Sequence, residues 1–206
     1  MSNLKLNVEK LKQEIKDYPV TVVCASKYLT VEQMRKLYDL GIHHFGENRA
    51  DELLKKQQQL TDLAIKWHFI GSLQSNKVKS IINRIDYLHS LDRLKLVKTI
   101  EKYRIEPLSC FVQLNFTKEI TKSGLDERYL EDFLKKVKNY DKINLIGLMA
   151  MGKLGNHQET DYIFKRVKLL AKYYDLKELS IGMSDDYLIA LENGATFIRI
   201  GRVFVK

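Results

Sequence analysis

One lysine in this chain of 206 residues stands where an amine could act as a nucleophile. Lys27 ends the apolar run 20–27, and strand alternation places its side chain on the face shared by Val23 and Ala25. If that face lines the mouth of a barrel, we expect the amine to be partly desolvated. A neutral amine attacks an aldehyde, giving a carbinolamine and then an imine. The alternative is a strand-end lysine that simply reaches water, which is the more common case.

Two segments near the carboxyl end could hold a phosphate. Residues 182–186 follow an apolar run and place Ser184 as a helix N-cap, so that free backbone N–H groups would face a ligand. Gly201 would let a second backbone N–H approach a phosphate closely. The alternative for Ser184 is an ordinary cap that needs no ligand, and Asp185 and Asp186 would oppose an anion unless they point away. Arg202 suits a phosphate or is surface charge.

Arg199 is a candidate for a cation that points inward. It shares a strand face with Phe197 and Gly201. A buried guanidinium keeps its proton and needs acceptors, which would be a carboxylate or atoms of a ligand. Asn48 follows another predicted strand and places a further polar group at the same rim.

The histidines do not predict a metal centre, because their spacing matches no common ligand pattern and no cysteine pair supports one. They are His43, His44, His68, His89 and His157. His68 lies inside a predicted strand between two aromatic residues, and we interpret it as a hydrogen-bonded core residue.

The elements that position these residues are short apolar runs alternating with helical patterns. The predicted strands are Val20–Ser26, Ile42–Phe45, Trp67–Ile70, Tyr87–His89, Cys110–Leu114, Leu145–Met149, Leu179–Ile181 and Phe197–Ile200. The predicted helices are Asn3–Asp17, Val31–Leu40, Arg49–Leu60, Ser75–Asn83, Arg93–Tyr103, Glu127–Asn139, Glu159–Tyr174 and Asp185–Asn193. Predicted capping residues are Thr30, Asp92, Asp126 and Ser184 at helix starts, with Gly41 and Gly194 after helix ends.

Eight units of about 26 residues predict an α/β fold, a single (β/α)8 barrel of the TIM type forming one domain over residues 1–206. An open doubly wound sheet gives the same alternation. The barrel is favoured by the count of eight and by the lack of a Gly-x-Gly-x-x-Gly turn after the first strand.

Composition and charge bear on partners and location. The 35 Lys and Arg against 26 Asp and Glu give a net charge of +9, but the lysines are spread over helix faces among acidic residues, so we expect no nucleic-acid partner. No apolar run is long enough to cross a bilayer, and no secretory signal is recognisable. We expect no membrane association and a cytoplasmic location. Cys24 and Cys110 lie in apolar runs and are predicted to be core residues.

Several ordered motifs give the chain a close resemblance to the pyridoxal 5′-phosphate (PLP) homeostasis protein family, the YggS/PROSC type. These proteins are single-domain relatives of the alanine racemase barrel. The motifs span nearly the whole chain and are Ala25–Lys27, Phe45–Asn48, Trp67–Gly71, Leu73–Lys77, Lys122–Gly124, Gly147–Ala150, Leu179–Asp186 and Arg199–Gly201.

This resemblance implies a barrel like the N-terminal domain of alanine racemase, with PLP held as a reversible Schiff base on Lys27. It places the phosphate on the Ser184 turn and on the backbone near Gly201. It implies cofactor-binding residues, none of them catalytic and none a metal ligand, at Lys27, Asn48, Met149, Ser184, Arg199 and Gly201, with Arg199 at the pyridine nitrogen and Asn48 and Met149 lining the ring pocket. The chain departs from the family at Arg202, where a small residue is usual, and it stops at Lys206, so its last phosphate contacts differ.

The function that the resemblance implies is intracellular PLP homeostasis, by buffering PLP or delivering it to PLP-dependent apo-enzymes, without efficient turnover. An arginine donates a hydrogen bond to a pyridine nitrogen but does not protonate it, which weakens the ring as an electron sink. None of the eleven tyrosines lies in a segment like that of the second base of alanine racemases. We expect a monomer. The alternatives are a PLP-dependent amino-acid racemase and a basic barrel whose main partner is a nucleic acid or a protein.

Overall fold

Eight parallel strands form a closed barrel in chain order, with β8 pairing back onto β1. The structure, a computed structural model, describes residues 3–116 and 123–205. The strands are β1 Thr21–Ala25, β2 His44–Glu47, β3 Lys66–Phe69, β4 Tyr87–Leu91, β5 Leu108–Gln113, β6 Ile143–Met149, β7 Glu178–Met183 and β8 Phe197–Ile200. The closure confirms the predicted barrel and excludes the open sheet. Of the Lys122–Gly124 motif, Lys122 lies outside the described residues.

The helices cover the outside of the barrel. They are α1 Asn3–Ile15, α2 Val31–Asp39, α3 Ala50–Gln59, α4 Val78–Ile81, α5 Leu94–Tyr103, α6 Leu130–Val137, α7 His157–Tyr173, α8 Tyr187–Glu192 and α9 Arg202–Val205. The predicted helix 75–83 is broken into a 3-10 turn, the short α4 and a second 3-10 turn. Arg104 donates to the carbonyl oxygens of Ile82 and Ile85, which draws them away from a continuous helical ladder. The short α9 was not predicted.

Two of the four predicted helix caps are confirmed. Thr30 forms a reciprocal capping box with Gln33, and the Asp126 carboxylate accepts from a backbone N–H in the next turn. Asp92 does not cap α5, because its carboxylate pairs with the Arg93 guanidinium at 2.5 Å. Ser184 does not cap α8, which begins three residues later. Gly41 and Gly194 follow helix ends at positive φ, as predicted.

The core has two layers. Most buried apolar side chains, including Cys24 and Cys110, lie between the strands and the helices. The interior of the barrel holds a smaller cluster of Val23, Phe111, Met149 and Phe197. Both cysteines are free and fully buried, as predicted, and burial raises the pKa of each thiol. Within the described ranges, no helix is long and apolar enough to cross a membrane, and no cluster of potential metal ligands occurs.

Candidate functional site

A cavity of about 400 Å³ lies where the strands end, and it is lined by every residue that the sequence nominated for the cofactor. Its lining includes Lys27, Asn48, Met149, Ser184, Arg199 and Gly201. The carboxyl ends of barrel strands are where such folds place their sites, since the variable loops converge there. Residues that sequence reasoning did not nominate complete the walls, and they are mostly apolar: Ala25, Tyr28, Ile70, Met151 and Met183, with Arg202 at the rim.

Lys27 does not continue the first strand. The strand stops at Ala25, and Lys27 lies in the 3-10 turn Ser26–Tyr28. Its side chain is exposed, so the expected partial desolvation is absent, and its Nζ lies 4.8 Å from the centre of the Tyr28 ring. The turn lifts the amine out of the packed interior and leaves it at the cavity wall.

A buried ion pair anchors the turn that carries Lys27. The Lys56 ammonium donates to the Glu47 carboxylate at 2.5 Å and to the Ser26 carbonyl oxygen at 2.6 Å. The Ser26 hydroxyl donates to the same carboxylate at 2.7 Å. Lys56 looked like part of a polar helix end in the sequence, yet only 7% of it is exposed. The residue before Lys27 is therefore fixed from both its carbonyl and its side chain.

The far end of the cavity presents two backbone N–H groups. Those of Gly201 and Arg202 donate to the Ser184 hydroxyl oxygen at 3.3 and 3.1 Å. A side chain at Gly201 would meet the carbonyl oxygen of Ala25 at 3.1 Å, which explains why a glycine suits this close approach. The predicted phosphate site is thus built from the start of α9, and the serine hydroxyl faces it.

The charged side chains of this region have partners within the chain. The Arg202 guanidinium, at the rim of the cavity, pairs with Asp185. Asp186 is half-buried and accepts from the backbone N–H of Met183 at 2.5 Å. Burial raises the pKa of the Asp186 carboxyl. The repulsion expected between these aspartates and an anion is therefore limited by the donors that each carboxylate already has.

Arg199 is buried beneath the cavity and points inward, as expected. Its acceptors are not a carboxylate or a ligand: Nη1 donates to the Ser180 carbonyl oxygen and hydroxyl at 2.5 and 2.7 Å, and Nη2 donates to the Ala150 carbonyl oxygen at 3.2 Å. Burial lowers the pKa of the guanidinium to about 10, with Asp186 acting in the opposite direction. Of its five N–H donors, Nε–H and one on Nη2 find no acceptor among the described residues.

The alanine racemase N-terminal domain family matches residues 1–205 of this chain. The chain belongs to that family. The pyridoxal phosphate homeostasis protein of Pseudomonas aeruginosa is 35% identical over 216 residues, covering 98% of this chain and 94% of the relative. The protein of the same name from Aquifex aeolicus is 35% identical over 187 residues, covering 86% and 82%. PipY of Synechococcus elongatus PCC7942, in its structure with PLP bound, superposes with a TM-score of 0.90 at 29% identity, covering 98% of this chain and 100% of PipY.

In this member of the alanine racemase N-terminal domain family, sequence reasoning missed the residues that support the site rather than those that line it. Glu47 and Lys56 anchor the lysine turn, and Ser180 holds Arg199. Glu47 precedes Asn48 in the Phe45–Asn48 motif, so that motif already indicated that Glu47 lies close to the site. Nothing in the local pattern around Lys56 distinguished it from an exposed helix lysine.

Proposed function

We propose that this chain binds PLP in the cavity through a reversible covalent bond to Lys27 and serves PLP homeostasis as a carrier rather than as an enzyme. One observation carries the proposal. A primary amine, a pair of backbone N–H groups and a guanidinium with free donors share a single cavity. The names of the relatives and the PLP-bound structure of PipY support the same cofactor.

The residues present match the three functional parts of PLP. The Lys27 amine is accessible to an aldehyde, and the aldehyde of PLP condenses reversibly with a primary amine. The N–H groups of Gly201 and Arg202, with the Ser184 hydroxyl, suit phosphate oxygens. Arg199 supplies donors for a ring nitrogen, while Asn48 and Met149 form walls beside it.

The character of Arg199 supports holding over turnover. A guanidinium whose pKa is about 10 stays charged at neutral pH, so it donates a hydrogen bond and does not give up its proton. A ring nitrogen that is not protonated stabilises a carbanion poorly. The group therefore favours retention and release of the cofactor.

The second candidate, an amino-acid racemase, needs two bases on opposite faces of its substrate. Tyr28 is the tyrosine that lines the cavity in the described part of the chain. Its ring packs against the Lys27 amine at 4.8 Å, so the two groups lie next to each other and not across the cavity. This arrangement supports the carrier over the racemase.

The decisive experiment is an absorbance spectrum of the purified protein with added PLP, followed by borohydride reduction and peptide mapping. We expect a visible band that reduction fixes onto the peptide containing Lys27. Lys27→Ala should lose the band, while Lys10→Ala, at an exposed lysine of α1, should keep it. A band that survives in Lys27→Ala refutes the assignment. Sustained loss of the α-proton from an amino acid in deuterium oxide, by the wild-type chain, refutes the carrier.

We also propose a single-domain, cytoplasmic monomer that transfers PLP to apo-enzymes. The single domain is supported by the barrel, in which the eight strands from Thr21 to Ile200 close on one another. Light scattering after gel filtration tests the monomer. Activation of a PLP-dependent apo-enzyme by the loaded chain, faster than by the same concentration of free PLP, tests delivery.

A further inference from the structure

A chain of hydrogen bonds runs through the inside of the barrel from Arg199 to the opposite rim. Arg199 donates to Ser180 Oγ, which lies 2.7 Å from His89 Nδ1. His89 Nε2 lies 2.8 Å from His68 Nδ1, and His68 Nε2 lies 2.9 Å from His44 Nδ1. The sequence predicted His68 to be a hydrogen-bonded core residue, which the structure confirms. The barrel also joins three histidines, from three neighbouring strands, into one line.

Arg199 fixes the direction of these hydrogen bonds. Because its Nη1 is a donor, Ser180 Oγ is the acceptor there, and the hydroxyl hydrogen has one remaining partner among the described residues, His89 Nδ1. His89 Nδ1 is then unprotonated, so the proton of the neutral ring lies on Nε2 and is donated to His68. By the same reasoning, His68 Nε2–H is donated to His44 Nδ1. Every hydrogen bond points from the cavity towards the other rim.

The two ends of the chain differ in access to water. His68 and His89 are fully buried, and burial lowers the pKa of both well below 6.5. His44 begins β2 and is half-buried. Burial and the neighbouring His43 and Lys66 lower its pKa, while Asp86 opposes them. The Tyr87 ring lies 6.3 Å away and stacks on His68. The positive charge of an added proton therefore settles on His44, the ring of the three that water reaches.

We propose that Ser180, His89, His68 and His44 form a positioning relay that makes the hold on Arg199 respond to protonation at the amino-terminal rim of the barrel. The inference rests on the proposed function, because Arg199 is taken to face the ring nitrogen of PLP. In the neutral chain, a hydroxyl that donates to His89 is a stronger acceptor for Arg199, since successive hydrogen bonds polarise one another. The relay therefore holds the guanidinium firmly while His44 is neutral.

Protonation of His44 at Nδ1 reverses the direction of each hydrogen bond between His44 and Ser180. The chain has then gained one proton from solvent, and His44 carries protons on both ring nitrogens and donates from Nδ1 to His68 Nε2. His68 and His89 remain neutral but are now Nδ1–H tautomers, so that His68 Nδ1–H is donated to His89 Nε2 and His89 Nδ1–H to Ser180, which keeps its own hydrogen. The Ser180 oxygen now accepts from both His89 and Arg199, and its own hydrogen loses its partner. Its bond to Arg199 weakens, and the donors that Arg199 presents to the cavity shift.

The first test uses the cofactor-free protein. Side-chain nitrogen shifts from NMR at about pH 7.5 report which ring nitrogen carries the proton. We expect His44, His68 and His89 all to be Nε2–H tautomers, with the exposed His43 and His157 as internal references. A proton on Nδ1 of any of the three overturns the polarity and the proposal with it.

The second test follows the visible absorbance band of the PLP-loaded protein from about pH 7.5 to about pH 5. His44→Gln keeps an acceptor for His68 Nε2–H but does not take up a proton. We expect its band to match the wild type at the upper pH and to lose about half or more of the acid-induced change. His157→Gln, the same change at an exposed histidine outside the relay, should behave as wild type. Coincident profiles for the two variants overturn the proposal.

The two tests separate this inference from the proposed function. If PLP does not load onto the wild-type chain, the proposed function fails, and the tautomer measurement on the cofactor-free protein still decides whether the relay exists. If PLP loads onto Lys27 and the tautomers are mixed, the relay fails while the proposed function stands. Circular dichroism of each variant confirms that the fold is retained.

Discussion

Lys56 and Glu47 form an ion pair at 2.5 Å, and both side chains are buried. The pair is also part of the site, because the same ammonium holds the Ser26 carbonyl oxygen next to Lys27. If PLP attaches at Lys27 as proposed, Lys56 couples the stability of the fold to that attachment without lining the cavity itself.

Breaking that ion pair should be costly. Lys56→Met leaves the Glu47 carboxylate buried without its counter-charge, and we expect a loss of about 3–5 kcal/mol in the free energy of unfolding. Urea denaturation measures it. Lys36→Met removes the lysine of an exposed pair with Glu32 and should change stability little. Equal losses in the two variants would contradict the buried pair as an anchor. In Lys56→Met protein that remains folded, PLP should also attach more weakly.

The Ser184 hydroxyl should recognise the phosphate specifically. Ser184→Ala removes one hydrogen-bonding group facing the Gly201 and Arg202 N–H pair, and we expect PLP to bind about 5- to 30-fold more weakly. Pyridoxal, which has the same aldehyde and ring but no phosphate, should bind equally to variant and wild type. Spectroscopic titration with both compounds measures the ratio. Ser80→Ala, at an exposed helix serine, is the matched control. Equal weakening for both compounds would place the phosphate elsewhere.

Arg199→Glu should change the reactivity of the cofactor. A carboxyl group beside the ring nitrogen lets that nitrogen keep a proton, so exchange of an amino acid's α-proton should rise about tenfold or more. Arg199→Lys keeps a cation and should not raise it. The Glu variant also leaves the Ser180 and Ala150 carbonyl oxygens without their donor, at a cost of about 1–3 kcal/mol for each. Exchange measured by NMR in deuterium oxide decides the point, and an unchanged rate in both variants argues against contact with the ring.

Acid should destabilise the barrel before its carboxylates titrate. His68 and His89 have a lower pKa in the fold than the 6.5 of an unfolded histidine. Above pH 6.5 both histidines are neutral in the folded and in the unfolded chain, so the full stability is present. As the pH falls below that value, the two histidines bind protons in the unfolded chain but not in the folded one, and the folded state loses stability. We expect a loss of about 1.4 kcal/mol per pH unit for each buried histidine below about pH 6.5. Urea denaturation from about pH 7.5 to about pH 5 measures the slope. A flat profile would mean that the rings take up protons inside the barrel.

The barrel could be predicted from the sequence because its strands are short apolar runs between helices. β8 was predicted with its observed bounds, Phe197–Ile200, since buried positions on both faces make the run uninterrupted. β2 was predicted two residues early, at Ile42–Phe45, because the polar ends His44 and Glu47 are satisfied by partners far along the chain. Local hydrophobicity does not report such partners.

The lining of the site could be predicted, while its support could not. Lys27 and Arg199 occupy strand ends, which a barrel brings together by construction. The contacts beneath them join residues distant in sequence, such as His89 with Ser180 and Ser26 with Lys56. A contact between distant residues also explains the error at Ser184. The local sequence predicted a helix cap, but the hydroxyl oxygen instead accepts hydrogen bonds from the backbone N–H groups of Gly201 and Arg202.

The backbone N–H groups of Gly201 and Arg202 also bear on how readily PLP would bind and leave. Both N–H groups already donate to the Ser184 hydroxyl oxygen, so neither of them lacks an acceptor. In the proposed function, a phosphate oxygen that binds here would replace the Ser184 oxygen as the acceptor, and the serine would take that place again when the phosphate leaves. This exchange of acceptors reduces the difference in free energy between the protein with PLP and the protein without it. A small difference suits the proposed carrier, which must both bind PLP and release it.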